Sequence, residues 1–441
     1  MKVAQLANLY SPVSGGLRTA VNMLGQGYSA AGHERTLVIP GRAYTRTETA
    51  DGTVVTVPGP SVAPGYRLVL DPGPVLRVLS RLRPDVIEVS DKATLTVAAS
   101  WARRHGVRSV LLSHERLDAI LAPRTPAWFP LEPVVDRWNR RLAAMFDAVV
   151  ATSAFAAAEF SRIGAPCLHR VPLGVDLTTF HPLPRAQHST VRLVHLGRLS
   201  KEKQPGLALA TLRELHAQGL DVRLDIVGDG PQAARLKAVA ETQRLPVRFH
   251  GHVPQRSEVA RLLAEADVAL TTCPVEAFGL AVLEAMACGT PVVVPDRGAA
   301  RELVVHGAGV MAAPTPAGFA DGVRRVLALP EGERRAAARA RAERYPWNAT
   351  VTGMLDVLAG GTAGGRPGLA DPAVRSRRAT VSHSRLAGAA RARGDAVRRV
   401  PGVRVVAAQP GAGGQRPQLG LRLRVAHLRR LRDRHVDQDD P

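Results

Sequence analysis

Two glutamates frame the start of a predicted helix in the second half of the chain. Glu276 precedes this helix, which begins near Gly279, and Glu284 is expected about two turns inside it. The free backbone N–H groups near Phe278, Gly279 and Leu280 could bind a phosphate, while the two carboxylates bind hydroxyls. The segment therefore fits a sugar joined to a nucleoside diphosphate. The alternative is an amphipathic helix with two surface glutamates.

A basic loop follows an earlier predicted strand and contains Arg198, Lys201 and Lys203. Lysine is scarce here, since Lys and Arg together number 59 and only five of them are lysines. An arginine can bind two phosphate oxygens at once and a lysine adds a point charge, so this cluster suits a diphosphate. A solvated basic loop is the alternative.

Glycines stand at the ends of the next two predicted strands, at Gly228 and Gly251. Ligands of doubly wound sheets bind at such strand ends. His250 and His252 flank Gly251, but two histidines without a third ligand nearby fit packing or backbone contacts better than a metal site.

The first predicted strand leads into Gly15 and Gly16 before a helix begins. Such glycines let backbone N–H groups approach a phosphate, or they serve only a tight turn. His114 follows a later predicted strand in the same half of the chain. It either lies toward a cleft between the domains or is a neutral histidine of the core.

These residues require elements that place strand ends along common edges. Short apolar runs alternate with helical patterns through residue 345, which predicts two α/β units with mostly parallel, doubly wound sheets. The segment 176–190 lacks periodicity and is predicted to be the linker between domains 1–175 and 191–345. The predicted strands are Val3–Ala7, Thr36–Pro40, Val54–Val57, Val86–Val89, Val110–Ser113, Ala148–Thr152, Val191–Leu196, Leu224–Val227, Val247–Phe249, Val268–Thr271 and Pro291–Val294.

The charge of the chain is unevenly distributed. The 441 residues carry a net charge of +21, and residues 361–441, with 17 Arg, 6 Asp and neither Lys nor Glu, contribute +11 of it. This tail has little to bury and is predicted to be disordered. A nucleic-acid-binding tail is a competing interpretation, but no aromatic residues interleave its arginines and no nucleic-acid-binding motif is present. No specific nucleic-acid partner is therefore predicted.

Other classes are disfavoured by composition. Three widely spaced cysteines give neither a disulfide framework nor a CxxC zinc site. We expect neither a transmembrane helix nor an export signal, and we predict a cytoplasmic protein.

One helix of the first half could touch a membrane. Val134, Trp138, Leu142 and Met145 are predicted to share one face, with arginines beside it in the segment 124–145. This fits a basic amphipathic helix on an anionic bilayer, or an ordinary core-facing helix with a solvated edge.

Together these motifs resemble the retaining glycosyltransferases of the GT-B fold, family 4, over nearly all of residues 1–360. The spacing of Glu276 and Glu284 is that family's signature, and the glycine-bearing strand ends follow in the family's order. More narrowly, residues 14–21, 88–91, 113–118 and 172–176 resemble actinobacterial GDP-mannose-dependent mannosyltransferases that act on phosphatidylinositol mannosides.

The resemblance implies two Rossmann-like domains facing across a cleft, with helix 346–360 returning to the first, acceptor-binding domain. The roles it implies for the donor are phosphate contact by Gly16, Gly228, Arg198 and Lys203, base binding at His252 and Val253, ribose binding by Glu284, and sugar orientation by Glu276 with Phe278, Gly279 and Leu280. Catalysis would involve His114, Glu276, Arg198 and Lys203. Acceptor contacts would come from Gly15, Gly16, Tyr66, Arg67 and His114.

The resemblance also implies no cofactor and no metal, since Arg198 and Lys203 would replace a cation. The expected partners are a nucleotide-sugar donor and a glycolipid or small acceptor, at the inner face of the plasma membrane. A related transferase, for example one moving N-acetylglucosamine from UDP to inositol phosphate, is the main alternative. A nicotinamide dehydrogenase lacks its GxGxxG motif after the first strand.

Overall fold

A computed structural model describes residues 1–11, 15–63, 65–126, 128–186 and 188–361. The predicted tail lies outside the described residues except for Gly361. The described strands are β1 (Lys2–Leu6), β2 (Glu34–Gly41), β3 (Thr45–Thr49), β4 (Gly52–Pro58), β5 (Ser61–Ala63), β6 (Tyr66–Arg67), β7 (Val86–Val89), β8 (Arg108–Ser113), β9 (Ala148–Ala151), β10 (Leu168–Arg170), β11 (Val191–Leu196), β12 (Val222–Val227), β13 (Val247–Gly251), β14 (Val268–Leu270), β15 (Val292–Pro295) and β16 (Gly309–Ala312).

The described α-helices are α1 (Gly16–Ala30), α2 (Gly73–Leu82), α3 (Val97–Arg104), α4 (Leu117–Leu121), α5 (Leu131–Met145), α6 (Ala154–Ser161), α7 (Pro205–Ala217), α8 (Ala233–Thr242), α9 (Arg256–Glu265), α10 (Leu280–Ala287), α11 (Pro316–Leu327), α12 (Glu331–Ala342) and α13 (Trp347–Leu358).

Two mostly parallel sheets form the framework. The first has the order β10-β9-β8-β7-β1-β2-β4-β3, and the second has the order β13-β12-β11-β14-β15-β16. Only β3 runs antiparallel in the first sheet, where it pairs with β4. Valine-rich strands such as Val86–Val89 and Val292–Pro295 are buried throughout, as expected for strands covered on both faces. We call these sheets with their helices the first lobe and the second lobe.

Every strand predicted from the sequence is present, with ends that differ by at most two residues. The prediction missed β3, β10 and β16, which are edge strands, and the small hairpin β5-β6. Edge strands bury less apolar surface, so their hydrophobic pattern is weaker. The β3 strand is exposed along its whole length, for example.

The last helix connects the lobes. A parallel bridge joins Val175 to Pro346, the Thr350 hydroxyl donates to the Pro172 carbonyl at 2.9 Å, and Arg108 donates to the carbonyl of Val357 at 3.0 Å. α13 packs on α1, and its buried side chains join one hydrophobic cluster that reaches α1 and α10. The predicted return of this helix to the first lobe is therefore confirmed.

Candidate functional site

The edge of the second sheet is built from three glycine turns that pack on one another. Gly197 follows β11, Gly228 follows β12 and Gly251 ends β13. The Gly228 N–H donates to the Gly251 carbonyl at 2.8 Å. A Cβ at Gly228 would lie 2.0 Å from the Gly197 carbonyl oxygen, and its φ is +137°. Only glycine allows this close approach of the two turns.

Lys203 lies in a short helical turn at this edge. The Thr272 hydroxyl donates to its carbonyl at 2.7 Å, and its ammonium contacts the Glu276 carboxylate at 2.6 Å. Burial opposes the ammonium charge, but Glu276 outweighs this effect and raises the pKa of Lys203. The structure therefore brings together two predicted site residues and keeps Lys203 cationic.

Arg198 reaches across to the first lobe. Its guanidinium lies 4.8 Å from the ring centroid of Tyr66 and donates to the Tyr66 hydroxyl at 3.1 Å. Arg67, predicted beside Tyr66 as an acceptor contact, donates to the carbonyl of Gly59 at 2.7 Å. The β5-β6 hairpin thus brings Tyr66 to the basic loop, while Arg67 of the same hairpin binds the backbone just before β5.

The helix α10 begins after Gly279, whose φ of +106° favours glycine. Glu284 lies one turn inside this helix, so the expected two turns were wrong because the helix begins at Leu280. Its side chain is 12% exposed and contacts Arg256 at 3.1 Å. Burial raises the pKa of Glu284, and the charge of Arg256 counteracts this.

The N-terminus of α1 faces that of α10. A Cβ built on Gly16 would lie 3.7 Å from Cδ1 of Leu280, whereas Gly15 has open space around it. Two helix N-termini, whose first N–H groups have no partner within the helix and which carry a partial positive charge, therefore meet in the cleft.

His114 lines a pocket of the first lobe together with Glu115, Asp91 and Lys92. Its Nε2 lies 3.6 Å from Oε1 of Glu115. The contact with His114 lowers the pKa of Glu115 to about 2 against the effect of burial, and the charges of Lys92 and Lys203 add to it.

Sequence reasoning missed Asp91, Lys92 and Glu115 as parts of this pocket. Each follows the end of β7 or β8, and that position was the available signal. Lys92 forms a buried ion pair with Glu159 and donates to the carbonyl of Glu115 at 2.6 Å. Its charge therefore holds the loop that carries His114.

The residues predicted at the nucleotide base follow β13. His252 is exposed, and Val253 is partly buried against the main hydrophobic cluster. His250 contacts Asp225 at 2.6 Å, so it is paired with a carboxylate instead of making only packing or backbone contacts. Among the described residues, no group of three or more His, Cys, Asp or Glu side chains could hold a metal ion.

The predicted face of α5 needs correction. Val134 is 50% exposed, while Val135, Asn139 and Leu142 are buried. Trp138 and Met145 are partly buried against the same core as Leu142, so only Val134 of the predicted face lies outside it, and Val135 and Asn139 lie inward instead. In the preceding loop, Trp128 is 82% exposed. No helix among the described residues is long and apolar enough to cross a membrane.

The fold and the cleft define the class of protein. The structure of sucrose-phosphate synthase from Thermosynechococcus elongatus matches with a TM-score of 0.68 at 19% identity, covering 81% of this chain and 98% of that one. The fold is GT-B, with two Rossmann-like domains, as the sequence predicted.

Sequence comparisons give the family. The model for Glycosyltransferase Family 4 matches residues 14–179, and the model for glycosyl transferases group 1 matches residues 183–344. A GDP-mannose-dependent α-(1-6)-phosphatidylinositol dimannoside mannosyltransferase from Mycobacterium tuberculosis is 46% identical over 372 residues, which cover 81% of this chain and 96% of that protein. A D-inositol 3-phosphate glycosyltransferase from Xylanimonas cellulosilytica is 33% identical over 252 residues, covering 51% and 59%. The chain belongs to the family 4 glycosyltransferases, which confirms the predicted enzyme class.

Proposed function

We propose that this glycosyltransferase moves mannose from GDP-mannose to phosphatidylinositol dimannoside or a closely related glycolipid. The observation that carries the proposal is the 46% identity to the mycobacterial dimannoside mannosyltransferase over 96% of its length. The division into an acceptor domain 1–175 with helix 346–360, a linker 176–190 and a donor domain 191–345 is part of this proposal.

The donor would lie along the edge of the second lobe. Arg198 and Lys203 would neutralise the diphosphate, and the N–H groups at the start of α10 would bind its oxygens. Phe278, Gly279 and Leu280 provide that backbone. In this arrangement the base packs at His252 and Val253, near the Gly228 turn, and the ribose hydroxyls bind Glu284. Gly16 would approach the phosphates from the first lobe.

The reaction would break the bond between the sugar and the diphosphate. Loss of the diphosphate gives an oxocarbenium-like mannose, and an acceptor hydroxyl attacks from the same face while a phosphate oxygen takes its proton. The anomeric configuration is then retained. Glu276 would orient the mannose, and His114 would lie beside its reacting face. Arg198 and Lys203 supply the charge stabilisation that a metal would otherwise give, so the proposed reaction needs no cation.

The acceptor would reach the cleft from an anionic membrane surface. Trp128, with its ring 6.2 Å from that of Phe129, and Val134 form an exposed apolar patch. The segment 124–145 also carries four exposed arginines, namely Arg124, Arg137, Arg140 and Arg141. Three acidic side chains of the same region form ion pairs with Arg162, namely Asp118, Glu132 and Asp136. Exposed aromatic rings within a basic surface suit the interface of an anionic bilayer, and this contact would place the protein peripherally at the inner face of the plasma membrane.

The transfer assay uses radiolabelled GDP-mannose or UDP-sugars, EDTA and vesicles that contain phosphatidylinositol dimannoside. We expect label from GDP-mannose in the lipid phase, its loss in Glu276→Gln, and its retention in Glu241→Gln, which changes an exposed glutamate of α8 in the same lobe. Loss of transfer in EDTA that returns with a divalent cation would refute the metal-independent reaction.

A second candidate is transfer of N-acetylglucosamine from UDP to inositol phosphate. This candidate is favoured by the 33% identity to the inositol-phosphate glycosyltransferase, which extends over 51% of the chain. Label from a UDP-sugar alone, in a water-soluble product, would replace the first candidate with this one.

Membrane contact is tested by flotation with vesicles that contain phosphatidylinositol. Replacing Trp128 and Phe129 by serine should release the protein, whereas Met311→Ser should not, because Met311 is 50% exposed on an edge strand of the second sheet. Equal flotation of both variants would contradict the assigned patch.

A further inference from the structure

We propose that Ser153 and Glu302 are positioning residues that fix the loop carrying Glu276 across the cleft. They would make the orientation of the transferred sugar depend on contact between the lobes. This inference rests on the proposed function, because that function gives Glu276 its role.

Ser153 serves two partners with one hydroxyl. It precedes α6 in the first lobe, and its Oγ accepts a hydrogen bond from the Ala156 N–H at 2.9 Å. The same hydroxyl donates to the carbonyl of Ala277 in the second lobe at 2.6 Å. Ser153 is 5% exposed, so water competes little for either bond. The hydroxyl therefore joins the start of α6 to the residue that follows Glu276.

Glu302 completes this contact from the opposite direction. Its two carboxylate oxygens accept from the N–H groups of Ala154 and Phe155, at 2.9 and 2.7 Å. These are the first N–H groups of α6, which have no partner within the helix, and a carboxylate is favoured at this positive end. A helix of the first lobe is thus capped by a side chain of the second lobe.

The segment around Glu302 also holds the Glu276 loop. The Ala299 N–H donates to the carbonyl of Glu276 at 2.8 Å, and Arg341 donates to the carbonyl of Glu302 at 2.8 Å. The backbone of Glu276 is therefore fixed within its own lobe, and the next carbonyl is held by the short bond from Ser153, with a longer bond of 3.4 Å from the Thr152 hydroxyl. Separation of the lobes would remove the second restraint, so that Glu276 would be held only by the Ala299 hydrogen bond and by Lys203.

The expected effect falls on the chemical step more than on donor binding. A neutral hydrogen bond contributes enough free energy that Ser153→Ala should lower kcat by about three- to tenfold. The affinity for GDP should change less than kcat, because Ser153 fixes only one of the three peptides whose N–H groups would bind the diphosphate. A loosely held sugar should also be lost to water more often, so the ratio of donor hydrolysis to transfer should rise. Ser153→Thr keeps the hydroxyl and should restore kcat.

The matched control is Thr315→Ala. Thr315 caps α11 in the same way, by accepting from the Gly318 N–H at 3.1 Å, but it makes no such contact with the first lobe among the described residues. Both alanine variants lose a helix cap, so their melting temperatures should fall to a similar extent. Only Ser153→Ala should change kcat and the hydrolysis ratio.

Glu302→Gln provides a second variant that keeps the size of the side chain. One amide oxygen cannot match a charged carboxylate at two N–H groups, so kcat should fall here too, again by more than GDP affinity. If Ser153→Ala and Glu302→Gln keep the kcat of Thr315→Ala, the inference is wrong. A wild-type protein that transfers sugar only from UDP overturns the proposed donor, and the same kcat comparison with that donor then decides the inference.

Discussion

Replacement of Lys203 by methionine tests the proposed diphosphate site most directly. The variant keeps the length and apolar stem of the side chain but removes the charge that contacts Glu276 at 2.6 Å. That distance is typical of a charge-assisted hydrogen bond, and a donor diphosphate would accept from the same ammonium. Such bonds contribute up to about 3 kcal/mol.

The exposure of the pair reduces this value. The side chain of Lys203 is 33% exposed and that of Glu276 is 22% exposed, so solvent screens part of the interaction. We therefore expect a loss of about 1.5–2 kcal/mol, which weakens GDP binding by about ten- to thirtyfold. Isothermal titration calorimetry with GDP measures this change.

Two further variants separate the diphosphate role from a general charge effect. Lys237→Met removes the same charge from an exposed position on α8 and should leave GDP binding unchanged. Glu276→Gln frees Lys203 from its partner, so GDP should bind at least as tightly while transfer is lost. A folded Lys203→Met variant with wild-type affinity for GDP would refute the assignment of Lys203 to the diphosphate.

The remaining predictions concern other parts of the chain. Because burial raises the pKa of Glu284, GDP affinity should fall as the pH drops through a midpoint above the ordinary glutamate value of about 4.3, and Glu284→Gln should abolish this dependence in calorimetric titrations across pH. Gly228→Ala should destabilise the fold by more than about 3 kcal/mol in thermal or chemical unfolding, since its Cβ meets backbone at 2.0 Å. Gly332→Ala, which meets nothing within 4 Å in a helix, should be neutral or stabilising by up to about 1 kcal/mol. Deletion of residues 362–441 should leave lipid labelling intact and remove any binding of a nucleic-acid probe; loss of labelling would assign the tail a role in transfer.

The sequence by itself determined the central strands, the α/β class and the family. Buried parallel strands such as β7 and β15 are continuous apolar runs, and the glycines at 197, 228 and 251 follow such runs directly. These signals are local, because a strand pattern and its adjoining turn lie within a few residues of each other. Glu276 and Glu284 could be identified as site candidates for the same reason, because both lie within a few residues of the start of one helix.

Only the tertiary structure decided which residues meet across the cleft. Tyr66 and Arg198 are 132 residues apart in the chain, and Ser153 and the Ala277 carbonyl are 124 apart. No periodicity relates such positions, because their contact depends on how a hairpin and a helix start are carried by separate sheets. The burial of Asn139 in place of Val134 has the same origin, since the packing of α5 against its neighbours sets its inward face. The local sequence pattern therefore determines whether a segment is a strand or a helix, and the packing of the two lobes determines which side chains meet in the cleft.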